Sequence, residues 1–308
     1  MTRILFYFKR LPWLGLLALV AAACQRGSPS LPASPSVLVA TTSSPASSST
    51  LPAPTVEPSL TPLPLAARVN GEEITQAEYQ AELALYHSAS GTDLAPEDEQ
   101  KVLDDLVDEA LLARAATENG FEIDDAMIDS RIQELAAQLG GEGALSDWMT
   151  KYDFTPQSFR LELERSIRAA WMRDHIIDGV PKEAEQIHAR QILLYNADQA
   201  NEVMAELEAG NDFGNLALKY DPLTGGDLDW FPRGYLPAEN LEAAAFSLEP
   251  GQYTPVIETP AGFHILQVLE RDPNRPLTPD ALRALQIKAL QEWLEMERAE
   301  SEIQVLLP

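Results

Sequence analysis

The stretch Ile187-His188-Ala189-Arg190-Gln191-Ile192-Leu193-Leu194, followed by Tyr195, is rich in β-forming residues and reads as a strand. Beyond it, 198–209 carries Ala200, Val203, Met204 and Leu207 at helical spacing, and 213–220 reads as a second, shorter helix. Gly225-Gly226-Asp227-Leu228 then marks a turn. A helix over 241–247, a strand over 256–259 and a strand of alternating apolar residues over 262–270 complete the series. The order β-α-α-β-α-β-β within about ninety residues predicts a compact α+β domain at 185–272, with helices around a small antiparallel sheet.

The segment before this domain has a different period. Residues 67–74 read as a short strand broken by an Asn70-Gly71 turn, and Thr75 with Glu78 forms a capping box that starts a helix. A second helix is predicted over 97–119, with Val102, Leu103, Leu106, Val107, Ala110, Leu111 and Ala115 on one stripe and Gly120 as its stop. Asp124 caps a third through about Leu139, Trp148 and Met149 lie on a short fourth, and Thr155-Pro156 opens a fifth. Together these predict a helical module at 66–180. After the α+β domain, Thr278-Pro279 opens a final helix at 278–305, striped by Leu282, Leu285, Ala289, Leu290, Trp293 and Leu294. A lone amphipathic helix must bury its apolar face, and the helical module is the nearest all-helical partner.

Composition narrows the function. The 308 residues hold 22 Lys+Arg against 48 Asp+Glu, a formal charge of -26, which repels phosphate backbones and excludes nucleic-acid binding. One cysteine forbids an intramolecular disulfide and a Cys-based zinc site. His87, His175, His188 and His264 are scattered without metal-ligand spacing, so no metal is expected. At the N-terminus Arg3, Lys9 and Arg10 precede an apolar run over 11–23 that ends in Ala21-Ala22-Ala23-Cys24. A positive start, a short apolar run and a small-residue boundary describe a signal peptide over 1–24 rather than a spanning helix. The boundary resembles a bacterial lipobox, which makes Cys24 the candidate lipidation site; two acyl chains suffice for stable anchoring. Residues 25–64 are rich in Pro, Ser, Thr and Ala, lack aromatics and carry only Arg26 and Glu57 as charges, the composition of a disordered tether.

Several ordered motifs carry a resemblance. Residues 187–194 look like the opening strand of parvulin-type peptidyl-prolyl isomerases, and Gly225-Gly226-Asp227-Leu228-Asp229-Trp230-Phe231 resembles their central glycine-aspartate turn. Ala243-Ala244-Ala245-Phe246-Ser247-Leu248, then Gly251, then Thr259-Pro260-Ala261-Gly262-Phe263-His264-Ile265 continue the match in order. Val69-Asn70-Gly71-Glu72-Glu73-Ile74-Thr75 and the helices after it are similar to the N-terminal module of secreted foldases of the SurA/PrsA kind, to which a C-terminal helix returns. The resemblance covers residues 66–305. It implies an α+β fold in which a helical chaperone-like module (N-terminal helices plus the C-terminal helix) carries an inserted parvulin-type domain. It also implies a cofactor-free foldase that isomerises Xaa-Pro bonds in unfolded or partly folded secreted polypeptides, held by its lipid to a membrane of the bacterial cell envelope.

In that family's pattern Leu228, Leu236, Leu241 and Phe246 match the walls of the proline pocket, and Thr259 and His264 match its polar members. Two positions depart from it. Gln191 stands where the family carries a histidine, and glutamine can hydrogen-bond but cannot ionise. His188 cannot replace it, because an odd offset along a strand faces the other way. The loop at 220–225 is short, leaving Asp221 as its sole acidic candidate. These departures favour a rival reading, a non-catalytic holdase with a degenerate parvulin domain. The acidic clusters at 97–99 and 104–105 read as solvated helix faces.

Overall fold

The computed structural model describes residues 64–91 and 93–307; the expected signal peptide, Cys24 and the expected tether lie outside the described residues. The described residues open with a hairpin of β1 (Leu65–Val69) and β2 (Glu72–Thr75). Its turn places Asn70 at φ 49° and Gly71 at φ 88°, the left-handed pair a two-residue hairpin needs. Five helices follow: α1 (Gln76–Ser90), α2 (Pro96–Glu118), α3 (Asp125–Leu139), α4 (Glu142–Lys151) and α5 (Pro156–Asp178). Their starts are written in side chains. Thr75 and Glu78 exchange hydrogen bonds at α1, Asp124 accepts from Met127 N at 2.8 Å, and Thr155 accepts from Ser158 N at 3.0 Å.

The chain then forms the second unit: β3 (Glu183–Leu194), α6 (Ala197–Glu208), α7 (Phe213–Tyr220), β4 (Asp227–Pro232), α8 (Glu239–Phe246), β5 (Ile257–Thr259) and β6 (Gly262–Pro276). The four strands form an antiparallel sheet in the order β4-β3-β6-β5. One face packs Ile192, Leu194 and Ile265 against α6 and α7 through Val203, Leu207, Phe213 and Leu216. The other packs Ile187, Ala189, Leu266 and Val268 against α8 through Leu241, Ala245 and Phe246. Strand β6 runs six residues beyond the expected 270, through Asp272-Pro273-Asn274-Arg275-Pro276, and pairs Glu183 with Pro276 at the base of β3.

Helix α9 (Pro279–Glu300), capped by Thr278, returns to α2 and α5. Leu294 is buried there with Leu112, Ala113, Ala116, Ala169 and Met172, flanked by Leu290 and Trp293. The expected helix over 278–305 ends early: Ser301 leaves the helix and β7 (Ile303–Val305) pairs antiparallel with β1, making the three-stranded order β2-β1-β7. Asn70 binds this return, its side chain accepting from Glu302 N at 2.8 Å and donating to the Ser301 hydroxyl at 2.9 Å. Of the acidic clusters of α2, Glu97 and Glu99 are exposed as expected, while the other members are engaged. Asp98 caps α2 and accepts from the Tyr86 hydroxyl, Asp105 pairs with Lys101, and Asp104 and Asp108 receive Arg298 from α9. No helix among the described residues is long and apolar enough to cross a membrane.

Inside the helical module, Glu109 of α2 and Glu162 of α5 lie near the Arg165 guanidinium, and Glu82 of α1 lies near both carboxylates. Arg165 lies 3.4 Å from Glu162, 3.3 Å from Glu78 and 3.0 Å from Glu72. Loss of solvent, then repulsion from Glu162 and Asp105, pushes the Glu82 carboxyl up to about 8. Glu109 is raised for the same reasons, desolvation first. Folded Glu82 keeps a proton that the unfolded chain loses above its ordinary 4.5, so stability falls as pH rises from 4.5 to 8 and levels off beyond. Denaturation midpoints measured between about pH 5 and 9 are expected to decline across this window, and Glu82→Gln to flatten the decline. A midpoint that rises with pH would contradict the proton count.

Candidate active site

Strand pairing assembles a polar set on the face of the sheet that carries α8. Leu193 of β3 pairs with His264 of β6 and Ile257 of β5 pairs with His264 from the other side, while Gln191 lies two residues from Leu193 on the same face. His264 Nδ1 lies 2.9 Å from Gln191 Oε1, and His264 Nε2 lies 2.8 Å from the Thr259 hydroxyl. With Gln191 Oε1 an acceptor only, Nδ1 carries the ring proton and Nε2 accepts from Thr259. Thr259 Oγ1 also accepts from Ala261 N at 3.1 Å, which fixes the β5–β6 turn around it. The ring is 6% exposed, and this burial lowers the His264 pKa below its ordinary 6.5. The set is neutral at physiological pH.

The apolar candidates gather beside it. Leu241 and Phe246 are 5% and 4% exposed in the cluster built on Ile187, Phe231, Leu266 and Val268, and Leu228 and Leu236 are half-buried against the same cluster. Phe246 is held on two sides. The Phe231 ring meets it edge-on at 6.0 Å, and the Arg233 guanidinium lies 4.1 Å above its centre. Arg271 of β6 donates to the carbonyls of Phe246 and Leu248 at 2.9 and 2.6 Å, closing the C-terminal end of α8. Glu185 pairs with both Arg233 and Arg271.

Asp221 is used differently. Its carboxylate accepts from Leu223 N, Thr224 N and Gly226 N at 3.1, 3.2 and 3.3 Å and from the Thr224 hydroxyl. The Thr224 hydroxyl foremost, with backbone donors behind it, holds its pKa below the ordinary carboxylate value. Asp221 thus shapes the short loop rather than bonding to His264. That loop abuts the polar set through its backbone: Gln191 N donates to Gly226 O at 2.8 Å, and a methyl on Gly226 would sit 1.9 Å from Gln191 O. Gly226 also has φ 74°, so glycine is required twice over. His188 points away from Gln191 and bonds Asp227 at 2.9 Å on the opposite face.

Sequence reading missed Arg233, Arg271 and Glu242. Each looks like an ordinary surface charge, and only the folded sheet brings Arg233 and Arg271 to Phe246. The Glu242 carboxylate accepts from Gly234 N and from Leu236 N, the latter at 3.0 Å, and so fixes the segment leading into α8.

Comparison with known proteins divides the chain at the same place. The PPIC-type PPIASE domain family matches residues 175–270, and the SurA-like N-terminal domain family matches residues 50–173. A Foldase protein PrsA from Geobacillus sp. (strain WCH70) is 28% identical over 223 residues, covering 68% of this chain and 76% of its own. A Chaperone SurA from Thiobacillus denitrificans is 28% identical over 252 residues, and the chain spans 56% of that protein's length. Among solved structures, peptidylprolyl isomerase PrsA from Bacillus cereus superposes at a TM-score of 0.44 with 18% identity, over 75% of this chain and 87% of that one.

The hydrogen-bond chain generates a titration test. The His264 ring, followed by NMR, is expected to stay neutral through 6.5 and to protonate only below it, with folding losing stability as pH falls through that region. Gln191→Glu is expected to raise the midpoint by placing a carboxylate on Nδ1. A His264 midpoint above the ordinary value in the unaltered protein would refute the neutral assignment.

Proposed function

We propose that the chain, which matches a PPIC-type PPIASE domain and a SurA-like N-terminal domain, is a parvulin-type peptidyl-prolyl isomerase and foldase that acts on Xaa-Pro bonds of secreted polypeptides from a lipid anchor on Cys24. The observation that carries the catalytic part is the Gln191–His264–Thr259 chain beside Leu241 and Phe246 on one sheet face.

Rotation about an Xaa-Pro bond breaks no covalent bond, but it forfeits amide resonance against a barrier of about 18–20 kcal/mol. The planar amide is the more dipolar state. Surroundings that strip water from the carbonyl disfavour that state relative to the twisted one. The neutral His264 set provides such surroundings, and the Thr259 hydroxyl and Gln191 amide supply oriented dipoles. Leu228, Leu236, Leu241 and Phe246 supply the apolar grip on the proline ring. In this reading Asp221 supports the loop beside Gln191, and it takes no proton because its carboxyl stays ionised.

The rival reading, a holdase whose parvulin domain no longer turns over, is favoured by the cover on Phe246, whose ring must be uncovered before a proline can lie against it. Client binding by the helical module draws support from an apolar cavity of about 380 Å³ lined by Leu85, Trp148, Tyr152, Phe159 and Leu163. The extracytoplasmic location and the anchor rest on the signal-like N-terminus and on Cys24.

An isomerisation assay on an Xaa-Pro peptide separates the two. Uncatalysed exchange takes roughly tens to hundreds of seconds, so weak acceleration is measurable. Turnover is expected, with Phe246→Ala weakening binding, His264→Ala acting mainly on the rate, and Gln191→His leaving the rate equal or higher. A folded protein that neither binds proline peptides nor speeds their exchange would leave only the holdase. For the anchor, Cys24→Ala is expected to move the protein from the membrane fraction to the soluble one; unchanged membrane partition would reject lipidation.

A further inference from the structure

The segment between β4 and α8 packs Leu236 and Ala238 on the α8 cluster, stacks Tyr235 on Phe231, and leads directly to Leu241 and Phe246. Two further things hold it. From within the domain, Glu242 turns back over the first turn of α8 and accepts from Gly234 N and Leu236 N. From outside the domain, α9 lies against Gly234: a methyl group there would sit 3.2 Å from Leu285 Cδ2 and 3.2 Å from Lys288 Cδ. Gly234 has φ 82°, so the chain bends at the point of contact. Glu239 and Glu242 also lie close enough to Lys288 to act on its charge, although its nearest carboxylate partner is Glu292 at 2.8 Å.

We propose that Glu242 is a positioning residue for the isomerase, and that α9 of the helical module completes its hold on the Gly234–Leu236 bend through Leu285 and Lys288. The proposal rests on reading Leu236, Leu241 and Phe246 as the proline grip. Glu242 touches neither the amide nor His264; it sets where the apolar walls stand. Each of its two bonds joins an ionised acceptor to a backbone donor, the stronger class of hydrogen bond. Removing the carboxylate frees two N–H groups and lets the bend move. Because the helix pressing on this bend belongs to the helical module, the position of that module reaches the proline grip without passing through the sheet.

The test uses the full chain and a short Xaa-Pro peptide, with KM and kcat read separately and His264 followed by NMR. Glu242→Ala is expected to raise KM about tenfold, the loss of roughly one charge-assisted hydrogen bond, with kcat changed by less than about twofold. Glu242→Gln keeps one acceptor and is expected to recover part of the loss, about threefold above the unaltered KM. Leu285→Ala, outside the isomerase domain, is expected to raise KM in the same direction. The His264 titration should be unmoved in all three, which a general loosening of the domain would not allow. Phe246→Ala serves as the control. If it raises KM while folded Glu242→Ala does not, the positioning role is overturned and the grip stands; if Phe246→Ala leaves KM unchanged, the grip reading itself fails. Should Glu242→Ala not fold, Glu242→Gln and Leu285→Ala decide the matter, and an unchanged KM in both overturns the proposal.

Discussion

The pairing of β1 with β7 closes the helical module. Val69 meets Ile303 and Ala67 meets Val305 across more than two hundred residues, and Asn70 pins the junction by hydrogen bonds to Ser301 and Glu302. A three-residue strand has little stability alone. It holds here because α9 is already anchored by Leu294 in the α2–α5 core and by Arg298 on Asp104 and Asp108. The hairpin in turn covers α1 and α2 through Ala66, Val69 and Ile74. The two ends of the folded region thus stabilise each other, and everything between them is an excursion from one closed body. Contacts of such long sequence separation cost loop-closure entropy that local contacts do not.

The isomerase unit solves a different problem, which is to keep a polar chain inside an apolar face. Burial of His264 is tolerable because each ring nitrogen has a partner, one of them an amide that cannot ionise. Glutamine at 191 therefore fixes the tautomer of the ring as well as replacing a titratable group. Around this set the apolar residues are held from several sides: by Phe231 and Arg233 on the ring of Phe246, by Arg271 at the end of α8, and by Glu242 at its beginning. The charges that look like solubilising surface in the sequence brace the segment that leads into α8.

What could be read in the sequence was whatever is decided locally. Thr75, Asp124, Thr155 and Thr278 announce helix starts because a cap needs only the next few N–H groups, and Asn70-Gly71 announces a hairpin because its backbone angles exclude most other residues. Gln191, Thr259 and His264 were legible through motif order. The tail of β6 was not: Asp272-Pro273-Asn274-Arg275-Pro276 has the composition of a loop and is a strand only because β3 lies beside it. The same holds for β7, whose identity belongs to its partner β1. Asp104 read as solvated because nothing near it in sequence reveals that Arg298 arrives from the far end of the chain to pair with it and with Asp108. Arg233 and Glu242 were hidden for the same reason, their partners being set by tertiary packing.

The stem of β3 and the stem of β6 run side by side where the chain leaves and re-enters the helical module. Glu183 faces Pro276, and Leu277 N donates to Lys182 O at 2.9 Å. The two cut points are separated by one strand spacing, about 5 Å, a gap that two or three residues of linker can span. The isomerase unit can therefore be treated as a cassette: an in-frame exchange at 182–277 leaves the α9 contacts with α2 and α5 and the β1–β7 pairing in place, while giving up the α9 contacts with Gly234 and with Glu239 and Glu242. A lineage carrying this architecture can shed, duplicate or replace its catalytic unit without re-solving the folding of the body that carries it.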